Sequence, residues 1–204
     1  MAEPKLLFEN EAEFRKQVKA SNGRVVVVVH PFCVEPNRLP HTYVRTRKSI
    51  LQKTKWPVVI MEEKWKLNQT HSALENDEKH YYVETSFGPT PAYGWKKLHK
   101  ALKNAGVNTI LLGGMFGGIV NRRDAAAYHP DVQRYEKRLN RRTTESIVGA
   151  CVGLTYEEMI KAKHGKVRFI PAFVNPPITF ETRQPVSPSK WPRLQKLWKR
   201  LARH

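Results

Sequence analysis

Five consecutive valines, residues 25–29, constrain this chain more than any other feature. Branching at Cβ leaves valine few rotamers in a helix, and a run this short and wholly apolar predicts a strand covered on both faces. Such strands belong to the middle of parallel sheets, because antiparallel sheets commonly leave one face to water and alternate accordingly. The run closes in His30-Pro31-Phe32. Proline has no N–H for the ladder, so the strand stops there and His30 sits at its carboxyl edge. Ligands of open α/β sheets bind in the crevice outside the carboxyl ends of the strands, which makes His30 and Glu35 the first polar residues to consider.

The remaining pattern alternates helices with strands. Residues 9–20 carry acids early and bases late, which suits the helix dipole, and Asn22-Gly23 ends the helix. A helical stretch over 43–54 leads to a strand over 56–61 that finishes in Glu62-Glu63-Lys64. Residues 68–79 are polar and read as loop or irregular helix, followed by a short strand over 81–84. Between 94 and 104, Trp95, Leu98, Ala101 and Leu102 recur at helical spacing while Lys96, Lys97, Lys100 and Lys103 fill the other face. A strand over 107–112 runs into the glycines at 113, 114, 117 and 118. These lack both the GxGxxG spacing and the lysine of a phosphate-binding loop, so a tight turn is expected. An amphipathic helix over 147–163 and a strand over 167–173 complete the series, and Pro176-Pro177 marks its limit.

With 204 residues and 40% apolar content, the chain builds one substantial core and falls short of two ordinary domains. The order of elements predicts a three-layer α/β/α sandwich with a mostly parallel sheet of five or six strands over residues 1–178. A basic insertion near 119–146 interrupts it, and a basic, proline-containing appendage follows over 179–204.

Lysine and arginine number 36 against 18 acids, a net charge of +18 that attracts polyanions. Arg122, Arg123, Arg134, Lys137, Arg138, Arg141 and Arg142 cluster in the insertion as a candidate polyanion-binding set, with Tyr128 and Tyr135 interleaved. Aromatic rings among bases suit stacking on unpaired nucleotides, so nucleic acid is one candidate partner. In the tail, Leu194, Leu197, Trp198 and Leu201 share a helical face, which suits the chain's own body, a second copy in a homo-oligomer, or an anionic membrane surface. Two cysteines, Cys33 and Cys151, exclude a disulfide framework, and with no export signal or spanning stretch a reducing, cytoplasmic location is expected. No cofactor motif appears, and His30, Glu35 and Glu84 lack the spacing of a metal site.

Several segments carry a more specific signal. Ser86-Phe87, Leu98, Leu102, Gly106-Val107 and Leu111-Leu112-Gly113-Gly114, together with the Cys-Val-x-x-Thr of Cys151 to Thr155, resemble the isochorismatase-like cysteine hydrolase superfamily, discontinuously over residues 25–173. The resemblance implies a three-layer α/β/α fold and a small amide, ester or related carbonyl substrate attacked by a cysteine, here Cys151. It further implies an aspartate base at the end of the first strand, where this chain has His30, and a charge-supporting lysine, near whose place it has Glu84. Gly113, Gly114, Phe87 and Glu35 would line the substrate, and backbone amides near 149–151 would hold the oxyanion.

Each residue also has a plainer reading. Cys151 lies between Ala150 and Val152 and suits a core, since free cysteines are among the most buried residue types. His30 equally suits a hydrogen-bonded strand end. A thiol at a helix N-terminus beside a histidine meets the conditions for a lowered pKa, whereas a carboxylate such as Glu84 beside it would raise it. The competing function is a non-catalytic protein that binds nucleic acid or another polyanion.

Overall fold

The computed structural model describes residues 3–32, 45, 48–49, 51–75, 78–86, 88–114, 117–121, 145–149 and 151–169. The valine run forms β1 (Arg24–Val29) at the centre of a five-stranded parallel sheet. Its companions are β2 (Val58–Glu63), β3 (His80–Thr85), β4 (Thr109–Gly114) and β7 (Lys166–Phe169), in the order β3-β2-β1-β4-β7. Val26 to Val29 pair with Val58 to Met61 on one side, and Arg24 to Val29 pair with Thr109 to Gly114 on the other.

Successive side chains of a strand point to opposite faces, and the valines divide accordingly. Val25, Val27 and Val29 join Phe14, Leu98, Leu102, Val152 and Met159 in one core, while Val26 and Val28 join Leu51, Ile60, Leu67, Leu74 and Tyr82 in the other. The first core lies under α1 (Glu11–Ala20), α3 (Gly94–Asn104) and α4 (Cys151–Lys161), and the second under α2 (Leu67–Leu74). Helices on both faces of a parallel sheet give the three layers that the sequence predicts.

Of the two readings of the polar stretch after residue 67, loop or irregular helix, the structure has helix through Leu74: Leu67, Thr70, His71 and Leu74 bury one stripe at helical spacing, and the threonine and histidine within it hid the periodicity. Two expectations need correction. The first two glycines of the 113–118 cluster are strand, not turn, because β4 runs on to Gly114. At Gly114 the backbone has φ +145°, and a Cβ would stand 2.1 Å from the carbonyl oxygen of Val29, so only glycine fits against β1. Residues 147–149 are not the start of a helix. They belong to β6 (Glu145–Gly149), antiparallel to β5 (Gly117–Asn121), and the helix begins at Cys151. Ile147 and Val148 stand opposite Ile119 and Gly118 in that ribbon, a setting that suits β-branched residues.

The ribbon brackets the predicted basic insertion, whose residues 122–144 lie outside the described residues, as does the appendage over 179–204. Among the described residues no helix is long and apolar enough to cross a membrane.

Candidate active site at the carboxyl rim of the sheet

The rim is built from the ends of β1, β2 and β4. Past Val29 the chain turns at His30, whose φ of +46° is a left-handed conformation that non-glycine residues adopt at some cost. The turn is held from β2. The His30 N–H donates to the carbonyl of Met61 at 2.9 Å, and its Nδ1 lies 2.9 Å from Glu62 Oε1. Glu62 is wholly buried, and its carboxylate accepts two further hydrogen bonds, from the Glu63 N–H at 3.1 Å and from Thr70 Oγ1 of α2 at 2.7 Å. A carboxylate held from three sides orients the imidazole. With Glu62 ionised, Nδ1 carries the hydrogen that the carboxylate accepts.

Cys151 opens α4 on the same rim. Its neighbour Val152 packs where β1 and β4 meet, with Cγ2 3.0 Å from where a Gly114 Cβ would stand, and the Thr155 hydroxyl donates to the Cys151 carbonyl at 2.8 Å. Cys151 is buried, 8% exposed. Burial pushes its pKa up to about 12, Glu63 and then Glu62 push in the same direction, and Lys66 opposes them. The expectation of a lowered pKa is therefore reversed. A helix N-terminus favours the thiolate, but here desolvation and two carboxylates outweigh it, and the resting group is a neutral thiol.

Lys66, at the end of a 3-10 turn (Lys64–Lys66), is 3% exposed and donates from Nζ to the carbonyl of Phe32 at 2.8 Å. A buried amine needs such a partner, and the Phe32 carbonyl supplies it.

His30 closes β1 and Cys151 opens α4 toward the carboxyl end of the sheet, where Glu62, Glu63, Lys66 and Thr70 also stand, none of which the sequence singles out as functional. Glu84 lies on β3 directly opposite Glu62 and is half-buried; the carboxylates acting most on the thiol are Glu63 and Glu62, one strand nearer. Gly113 and Gly114 are buried in the ladder with Val28 and Val29. Glu35, Phe87, Arg122, Arg123, Arg134, Lys137, Arg138, Arg141 and Arg142 lie outside the described residues. One signal pointed at the missed group. An acid pair ending an otherwise apolar strand, opposite a histidine ending the neighbouring one, falls in the crevice where α/β proteins place their sites.

Fold and site together define an α/β protein with a parallel sheet whose carboxyl rim carries a buried thiol, a carboxylate-held histidine and a buried lysine. No protein-family model matches the chain, and no curated protein is found similar to it. Among solved structures it is similar to the crystal structure of N-carbamoylsarcosine amidase from Thermoplasma acidophilum, at 12% identity over 86% of this chain and 92% of that one, with a TM-score of 0.48. At that distance nothing about the chemistry of this chain follows from the likeness.

Proposed function

We propose that the protein is a cysteine-dependent hydrolase of small amides, esters or related carbonyl compounds, with Cys151 as nucleophile and His30 as acid and base. The observation that carries this reading is the oriented His30–Glu62–Thr70 chain on the rim where Cys151 opens α4. Because the thiol is neutral at rest, its proton leaves as the sulfur attacks. His30 Nε2 accepts that proton, the new C–S bond forms, and the carbonyl oxygen takes the electron pair. Collapse of the tetrahedral adduct breaks the bond to the amine or alcohol, which leaves with the proton from His30. Water then attacks the thioester, again giving a proton to His30, and the thiol is regenerated as the acid departs. In this reading the oxyanion is held by N–H groups at the start of α4, where a helix terminus favours negative charge.

Incubation of the full chain with a panel of activated esters and anilides, followed by mass spectrometry, tests the reading. An acyl adduct on Cys151 is expected, together with hydrolysis that disappears in Cys151→Ala and falls by about 10²-fold or more in His30→Gln. Hydrolysis that persists in Cys151→Ala overturns the proposal, as does the lack of any adduct on Cys151 across the panel.

A further inference from the structure

Glu62 and Glu63 are neighbours in sequence with different surroundings. Along β2, Val58 and Ile60 face the core under α2, while Val59 and Met61 face the core under α1, α3 and α4. Continued by two residues, the alternation turns Glu62 toward α2, where Thr70 binds it, and Glu63 toward the α4 side, where Cys151 stands. Glu62 is spent on holding His30. Glu63 is half-buried at the carboxyl end of β2, and among the charges acting on the Cys151 thiol it is the largest.

Its Oε2 accepts the indole N–H of Trp65 at 2.8 Å. Trp65 is 64% exposed, the most exposed large apolar side chain among the described residues. An indole usually gains stability by burial, yet here it is clipped to a carboxylate and left open to solvent. An aromatic face edged by a carboxylate attracts organic cations, through the ring quadrupole and through direct charge pairing. Lys66 Nζ lies 5.9 Å from the ring centroid and approaches from within the protein, tied to the carbonyl of Phe32, so the outer face stays accessible. Glu63 is the carboxylate that meets the indole, between the exposed Lys64 and the buried Lys66 of the same turn.

We propose that Trp65 and Glu63 form a recognition edge that selects small carbonyl compounds bearing a planar organic cation of the amidinium or guanidinium type. The inference rests on the reading of the Cys151 rim as the reacting site. Trp65 supplies the face and Glu63 the opposing charge.

Calorimetric titration of the full chain with benzamidine and with benzamide, its uncharged near-isostere, tests this, since the two differ chiefly in charge. Benzamidine is expected to bind about tenfold more tightly and to slow alkylation of Cys151 by iodoacetamide. Glu63→Gln should remove the preference, Trp65→Ala should weaken both probes, and Trp65→Phe, which keeps an aromatic face, should retain the preference. Equal affinity for the two probes, a preference that survives Glu63→Gln, or benzamidine binding that leaves Cys151 alkylation unchanged would each overturn the inference. Its failure is separable from that of the hydrolase reading. Hydrolysis that needs Cys151 without charge preference sinks the recognition edge alone, and Glu63-dependent protection of a thiol that does no hydrolysis sinks the hydrolase alone.

Discussion

His30 Nδ1 stands 2.9 Å from Glu62 Oε1, and both side chains are buried: the imidazole is 3% exposed and the carboxylate not at all. The pair bridges the ends of two neighbouring parallel strands, and Thr70 anchors it to the layer beneath. That bond fixes the orientation of the imidazole at the end of β1.

Replacing Glu62 by glutamine should therefore be felt in both stability and chemistry. An amide cannot accept all the hydrogen bonds that the carboxylate accepts, and leaving a buried donor unmade destabilises by about 1–3 kcal/mol. Urea unfolding should show that loss, and nitrogen chemical shifts of His30 should show a change of tautomer. An unchanged tautomer would mean that Glu62 does not orient the ring.

Opposite changes in thiol reactivity are expected from the two charges beside Cys151. Glu63→Gln removes a carboxylate that raises the thiol pKa and should move the pH profile of alkylation toward neutrality. Lys66→Met removes a cation that lowers it and should move the profile further into alkali. Measured in a Cys33→Ser background, shifts in the same direction for both variants would contradict the electrostatic account.

Acid should weaken the protein through a second histidine pair. His99 Nδ1 of α3 lies 2.9 Å from His164 Nε2, in the turn before β7. Burial lowers the pKa of His164 to about 4, with His99 and Lys103 acting in the same direction. Burial also lowers that of His99, against Glu158. A depressed histidine pKa contributes stability that is present above the ordinary value of 6.5 and is lost as pH falls through about 4. The urea midpoint should fall between those values, and His164→Gln should flatten the fall.

Alkali acts in the other direction on Cys151. A thiol raised from 9.0 to about 12 contributes stability that is full below 9 and disappears as pH climbs toward 12. Cys151→Ala should remove that part of the alkaline loss, read as a smaller drop in unfolding midpoint between pH 8 and 11 than the parent chain shows.

Two glycines should respond differently to alanine. At Gly114 the new Cβ meets the Val29 carbonyl at 2.1 Å, so β1 and β4 must separate, and a loss of about 3 kcal/mol or more is expected. At Gly106, with φ +82° and open space around the site, only the left-handed backbone resists, for about 1–2 kcal/mol. Urea midpoints of the two variants check the order, and near-equal losses would show that packing at Gly114 yields.

How much of this was legible beforehand depended on the range of the forces involved. The sequence by itself determined the layered α/β fold, the central place of residues 25–29 and the amphipathic helices, because the periodicity of apolar residues is a local pattern that burial rewards directly. It also put His30 at the end of a strand, since Pro31 is punctuation within one residue, whereas the start of the helix at Cys151 came only with the pairing of β5 and β6. Only the tertiary structure decided that Glu62 is His30's partner, that Lys66 is buried against Phe32, and that the thiol is neutral. Those outcomes turn on desolvation and on charges brought together from positions more than thirty residues apart, as His30 and Glu62 are. In the chain they are simply polar residues at strand ends, and only packing reveals which of them water no longer reaches.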